Sequence, residues 1–346
     1  MDESGGKIAI SADDIAIDSA MRADVIEGVL SKLHAHYIFP VVAQEILAAI
    51  HLRQDNGEYD ALATAAALRD ALIAHMQEAS RDKHLQVRYE VAPRPLGASD
   101  NTFDDPAFLE HMRLTSVIRN YGFERVEWLR GNIGYLDLRF FAPPEWSGCG
   151  DTAVAAMTFL ANTSALIVDL RRNGGAAGMV DLLCSYVLPA VPERPVHLID
   201  FHYSNRLEQH WTLPHVPGPR YEDKPVYLLI GERTTSAAEA FAYTLQALGR
   251  ATLMGETTAG AGNLVGHYQI DAHFSVFISN GRVVVPSTGG NWEGVGVQPD
   301  LAVPPDDALR TAHIAALRKV HETIGDAPTG KAMMDEAHAA LTELEE

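Results

Sequence analysis

Two apolar runs, residues 165–170 (ALIVDL) and 226–231 (VYLLIG), constrain this chain more than any other feature. A strand with one wet face alternates apolar and polar residues, whereas a run without that alternation is covered on both faces. Each run ends in a polar turn and is followed by a stretch of helical period, at residues 178–189 and 237–248. Residues 251–255 (ATLMG) supply another short strand. VEWLR and NIGYLDL read as a strand pair about the Gly131-Asn132 turn, with a helix over 150–161. Buried strands alternating with helices specify an α/β fold built on a largely parallel sheet.

The N-terminal stretch has a different period. Met21, Val25, Val29 and Leu33 recur every four residues, with Asp18 or Ser19 placed to cap a helix. Pro40 opens a second helix carrying Val42, Ile46, Leu47 and Ile50, since proline is suited to the first helical turn. A third, over residues 60–76, carries Leu62, Leu68, Leu72 and Met76. Three short amphipathic helices predict a small bundle. Residues 84–90 (HLQVRYE) alternate like a half-buried strand, and 93–107 read as a Pro/Gly/Asn/Asp loop. Strand-like stretches lie near 264–270, 273–279 and 282–286, and the tail from 307 is helical. The expected division is a helical bundle over 1–78 and an α/β core with a helical tail over 79–346.

Charge narrows the function classes. Lys and Arg total 27 against 46 Asp and Glu, a net charge of −19. Nucleic-acid backbones and anionic membrane surfaces select basic patches, so neither is an expected partner. No window approaches the 18 apolar residues of a membrane span, and no basic-then-apolar leader is visible. The cytoplasm is the expected location, with export open if a leader was removed. The two cysteines, Cys149 and Cys184, are too few for a disulfide framework and read as buried thiols. No Cys/His cluster suggests a metal, and no cofactor is expected.

Four segments could carry chemistry. In GERTTSAAEAF (231–241), Ser236 stands where a buried strand gives way to a helix. Free amides and the helix dipole there favour negative charge, and the Ala237 amide could face an oxyanion. The same spacing, Ser236 to Glu239, is also that of a structural capping box. In DLRRNGG (169–175), Gly174 or Gly175 could offer a second oxyanion donor, or simply form a tight turn, with Asp169 and Arg171 bracing it. TAGAGN (258–263) is a glycine loop without a phosphate-binding pattern. STGGNWEGVGVQPD (287–300) places Glu293 in a glycine-rich loop.

Taken in order, DLRRNGG, RTTSAAEAFAYTLQALGRATLMGETTAG and NWEGVGVQPD resemble the C-terminal processing (tail-specific) protease family. The resemblance is to the branch with the tricorn core and interphotoreceptor retinoid-binding protein. LHAHYIFPVVAQEIL (33–47) is similar to that branch's N-terminal helical domain. It implies a crotonase/ClpP-like spiral of β-β-α units behind the helical bundle, and a serine peptidase acting on a peptide or protein. Ser236 would be the nucleophile, with Ala237 and Gly174 or Gly175 forming the oxyanion hole. The Ser–Lys branch places its lysine where this chain has Ala261, so that dyad is missing. The tricorn-like branch implies His84 as general base, although the serine beside that histidine is here Lys83. Glu293 would orient His84 or a bridging group, or bind the substrate's amino end. His267 and His273 are the next candidates for the base. Residues 91–125 are too few and too polar for a PDZ domain.

Two rival functions share the fold. Retinoid-binding relatives imply a non-catalytic hydrophobic-ligand carrier, which a large apolar cavity would favour. An esterase acting on a small or modified-peptide substrate would show activity on aryl esters alone. Self-association into a homo-oligomer is compatible with the sequence.

Overall fold

The computed structural model describes residues 14–95, 97, 99–176, 178–189, 194–323 and 328–345. The chain runs α1 (Ser19–His36), α2 (Pro40–Asp55), α3 (Ala65–Ser80), β1 (Gln86–Tyr89), α4 (Pro106–Val117), β2 (Phe123–Leu129), β3 (Ile133–Leu138) and α5 (Cys149–Leu160). It continues through β4 (Ala165–Asp169), α6 (Met179–Val187), β5 (His197–Tyr203), β6 (Leu207–Trp211), β7 (Val226–Ile230), α7 (Ala237–Ala247) and β8 (Thr252–Gly255). Last come β9 (Asn263–Gln269), β10 (Phe274–Val284), β11 (Leu301–Ala302), α8 (Pro305–Thr323) and α9 (Pro328–Glu345). Contacts divide it into two compact units, Met1–Leu109 with Asn263–Arg282, and Glu110–Gly262 with Val283–Glu346. The α/β class is as expected. Among the described residues no helix is long and apolar enough to cross a membrane.

The first unit is built on α1–α3. Asp18 caps α1, its side chain accepting the Met21 amide at 2.9 Å. Thr64 caps α3, which therefore starts at Ala65 and not near residue 60. The helices turn Val25, Val29, Leu33, Ile46, Ile50, Leu68, Leu72 and Met76 into one core. Antiparallel pairing of β1 with β10 and of β10 with β9 adds Val87, Tyr268, Phe274, Val276 and Ile278. Phe274, Val276 and Ile278 are two apart, so they share a face of β10.

His267 on β9 is also buried in this unit, 5% exposed, stacked on Phe277 with ring centroids 4.3 Å apart. Its Nε2 meets the Ser275 hydroxyl at 2.8 Å. Burial, reinforced by Arg94 and Arg88, pushes the imidazole down to about 4. The fold therefore holds the neutral ring while the unfolded chain takes up a proton below its ordinary value of 6.5. Stability that is present above pH 6.5 is lost as the pH falls toward about 4, on the order of 3 kcal/mol. Urea unfolding at pH 7 and pH 4.5 measures this. His267→Gln should flatten the slope, and an unchanged slope in the variant would assign the loss to other groups.

The second unit carries the expected mostly parallel sheet, in the order β11-β8-β7-β4-β3-β2. Only β2 runs antiparallel to its neighbour, β3. Gly131 and Asn132 make the β2–β3 turn with φ of 74° and 60°, the left-handed pair that a tight hairpin needs. Every residue of β3, β4 and β7 is buried, as uninterrupted apolar strands require. Ala308, Ala312, Ala316 and Leu317 of α8 cover one face together with Ala337 and Ala340 of α9. The small side chains let the helix approach the sheet closely. Cys149 and Cys184 are buried free thiols.

Candidate active site

Polar loops follow the carboxyl ends of the neighbouring parallel strands β4 and β7, the place where α/β sheets commonly form sites. Asp169 ends β4 and accepts the Tyr135 hydroxyl at 2.8 Å and two Arg171 nitrogens at 3.0 and 2.6 Å. Burial pushes this carboxyl up, but the Arg171 hydrogen bonds and charge hold it below its ordinary value. Asp169 and Arg171 thus brace the turn. Beyond them, Asn173 is fully buried and ties three segments together. Its Nδ2 donates to the Leu138 carbonyl at 2.9 Å, its Oδ1 accepts the Gly175 amide at 2.9 Å, and its carbonyl accepts the Thr235 amide at 3.2 Å.

Those bonds bring the glycine turn against the end of β7. Gly175 has φ 89°, and a Cβ there would lie 2.7 Å from the Ser236 Cβ and 3.2 Å from the Ala237 amide nitrogen. Only glycine fits. Ser236 itself is held at φ 56°, ψ −120°, sparsely populated for a residue with a side chain. A strained strand–turn–helix junction of this kind lifts a side chain clear of its own backbone. The helix it opens, α7, presents the Ala237 amide at its first turn.

The capping-box geometry is present, with the Ser236 side chain set toward the Glu239 amide and the Ser236 amide donating to the Glu239 carboxylate at 2.8 Å. Glu239 is also a buried hub, 0% exposed. Its Oε2 also accepts the Ala261 amide at 2.9 Å. Its Oε1 accepts the Gly260 amide at 2.7 Å and the Thr258 hydroxyl. One carboxylate therefore fixes the loop over 258–261 to the turn that presents Ser236.

Glu293 joins from the other glycine-rich loop. Its Oε2 accepts the Gly262 amide at 2.6 Å, and the neighbouring Trp292 indole donates to the Ala261 carbonyl at 3.1 Å. Backbone amides thus engage both Glu239 and Glu293, which anchors the two loops to each other. Ala261 is 8% exposed, enclosed between the Trp292 and Glu239 contacts.

The structure thus brings Ser236, Ala237, Gly174, Gly175 and Glu293 into one unit, and His84 belongs to the first unit. There, His84 stands on the turn between α3 and β1, its amide donating to Asp82 Oδ1 at 2.9 Å. Asp82 is 3% exposed and accepts the Tyr37 hydroxyl at 3.0 Å. A ring nitrogen of His84 lies within 4.8 Å of an Asp82 carboxylate oxygen. Burial holds the His84 imidazole below its ordinary value, and the Asp82 charge pulls the other way. The sequence reading passed over Glu239's wider reach, Asn173 and Asp82. Asp82, two residues before His84, had no local pattern to mark it.

The glycine amides are occupied in this structure. Gly174 donates to the Arg139 carbonyl at 3.1 Å and Gly175 to Asn173. No bond is described for the Ala237 amide.

Comparison with known proteins agrees with these motifs. The model of peptidase family S41 matches residues 132–303. The model described as the N-terminal domain of peptidase S41 in eukaryotic IRBP matches residues 11–116. Among solved structures, a lipoprotein from Streptococcus agalactiae is 14% identical, with 86% of this chain and 96% of that one aligned at a TM-score of 0.53. The tricorn protease is 15% identical, with 94% of this chain and 37% of that one aligned at a TM-score of 0.51. At such identities the structural likeness is one of fold.

Proposed function

The chain belongs to peptidase family S41 and is a hydrolase of the serine-peptidase type, and on that premise we propose that Ser236 forms the acyl-enzyme, with His84 as its general base. The carrying observation is Ser236 itself. It is strained and pressed against Gly175 at the N-terminus of α7. Strain of this kind persists only where surrounding structure enforces it, and it collects at functional sites.

In the proposed reaction His84 Nε2 or Nδ1 takes the Ser236 proton as Oγ attacks the scissile carbonyl. The carbonyl oxygen becomes an oxyanion held by the Ala237 amide at the positive end of α7. Gly175 is the second donor, exchanging the neutral Asn173 oxygen for an anion, which is the stronger acceptor. Protonated His84 then gives its proton to the leaving amine. A water, deprotonated by His84, attacks the ester carbon, and collapse returns the Ser236 hydroxyl and releases the acid. Glu293 supports the site by holding the Gly262 end of its loop. The substrate is a peptide or protein.

The pH dependence follows from the direction of the His84 shift. The base must be neutral, and its pKa lies below 6.5, so kcat/KM should rise with pH along an acid limb centred below 6.5. His84→Ala should lower kcat by about 10²–10⁴ with KM changed little, and abolish that limb. Cleavage of a quenched peptide library across pH 4–9 tests both. A rise in KM alone, or a limb that survives in His84→Ala, would remove His84 as the base.

A further inference from the structure

A groove of about 930 Å³ opens beside Gly174, walled by the end of α4, the start of β2 and the segment after β3. Gly174 lines it, and the next residue, Gly175, lies against Ser236. A Cβ on Gly174 would meet nothing within 4 Å, so a bound chain could pass close to this backbone. The groove thus reaches to one residue from the glycine that lies against the proposed nucleophile.

Its lining combines two chemistries. Met112, Ile118 and Phe140 give apolar surface, while Phe123 on the same wall is only 4% exposed. Ile118 is 83% exposed, high for an isoleucine on a chain of balanced hydropathy. Arg119, Arg139 and Arg172 are also on the wall, with Glu124. Arg139 is committed to buried Asp137, its Nη2 2.6 Å from Oδ2. Arg172 is 3.8 Å from the same carboxylate and its side chain is 60% exposed, while no ion pair is described for Arg119. Arg119 and the exposed Arg172, whose ion pair with Asp137 is long, are therefore the guanidinium groups a ligand could engage, on a chain whose net charge is −19.

Resting on the nucleophile assignment above, we propose that this groove binds the substrate chain next to the scissile bond and selects a carboxylate there, through Arg172 and Arg119. An apolar side chain of the peptide would cover Ile118. Guanidinium forks recognise carboxylates with paired hydrogen bonds, which favours that group over a neutral amide. The carboxylate is supplied either by an Asp or Glu side chain or by the end of the peptide.

The test uses full-length Ser236→Ala protein, which cannot turn over, and fluorescein-labelled octapeptides of Ala and Leu in 50 mM salt. One pair differs by an internal Glu or Gln, the other by a free or amidated C-terminus. Anisotropy titration should show roughly tenfold tighter binding for at least one carboxylate member, and the pair that responds names its source. Adding Arg119→Glu and Arg172→Glu, both at exposed positions, should erase the preference. Equal affinities within both pairs, no binding of either acid, or a preference that survives the arginine changes would overturn the proposal. Fluorophosphonate labelling of the wild type reads the nucleophile separately. A selective groove without an adduct would sink the Ser236 assignment while leaving the selectivity in place.

Discussion

Ser236→Ala should abolish covalent labelling by a fluorophosphonate probe and lower peptide turnover by at least about 10⁴, with the fold intact. The loss is large because the attacking oxygen itself is removed from the side chain held against Gly175 at the N-terminus of α7. The structural cost is small because the link from this turn to the buried Glu239 carboxylate runs through the Ser236 backbone amide, which alanine keeps. Ser236→Gly separates strain from chemistry more sharply. At φ 56°, ψ −120° a glycine avoids the penalty that a Cβ carries, so this variant should be inactive yet about 1 kcal/mol more stable in denaturant unfolding. Gain of stability with loss of labelling is the pattern expected of a residue held in place for reactivity. Labelling that persists in Ser236→Ala, or settles on another residue, would end the assignment. A folded wild type that takes no label would favour the hydrophobic-ligand carrier of the same fold.

How much of this was legible depends on how local each signal is. The apolar runs at 165–170 and 226–231 became buried neighbouring strands, and Asp18, Pro40 and the Gly131-Asn132 turn did what their chemistry predicts. These are properties of a few adjacent residues. Two elements escaped despite local signals. Asp105 accepts the Ala107 and Phe108 amides ahead of Pro106, a helix start inside the stretch read as loop, and it opens the helix that walls the groove. β5 and β6 mix His, Asp and Gln into their pattern, which hid the hairpin. The stretches 273–279 and 282–286 proved to belong largely to one strand, β10, whose register shifts between Ser279 and Gly281. Other misses had no local sign. Residues 263–282 pack with the N-terminal helices, because strand pairing joins segments far apart in sequence. Motif order along the chain marked Ser236, Glu293 and the glycine turn, but what holds them is long-range: Asn173 reaching Leu138, and Glu239 reaching Gly260 and Ala261.

Glu239→Gln, the most conservative change available at that hub, should still destabilise the protein by roughly 3 kcal/mol and slow labelling of Ser236 by one to two orders of magnitude. Each carboxylate oxygen accepts a backbone amide, Oε2 from Ser236 and Ala261, Oε1 from Gly260, which shares it with the Thr258 hydroxyl. A glutamine has one acceptor oxygen. Whichever way its amide is turned, the NH₂ group faces at least one main-chain N–H that cannot reverse its role. The Thr258 hydroxyl can rotate, so the better orientation aims NH₂ at Oε1's partners and leaves the Gly260 amide unsatisfied where nothing is exposed. That repulsion falls on the loop that anchors the Ser236 turn, so displacement there reaches the nucleophile. Positioning and stability should therefore fail together, in contrast to Ser236→Gly, where they move in opposite directions. Guanidinium midpoints give the first quantity and the rate of fluorophosphonate labelling gives the second. A Glu239→Gln protein within about 0.5 kcal/mol of wild type and labelled at an unchanged rate would show that the hub neither stabilises nor aligns the site.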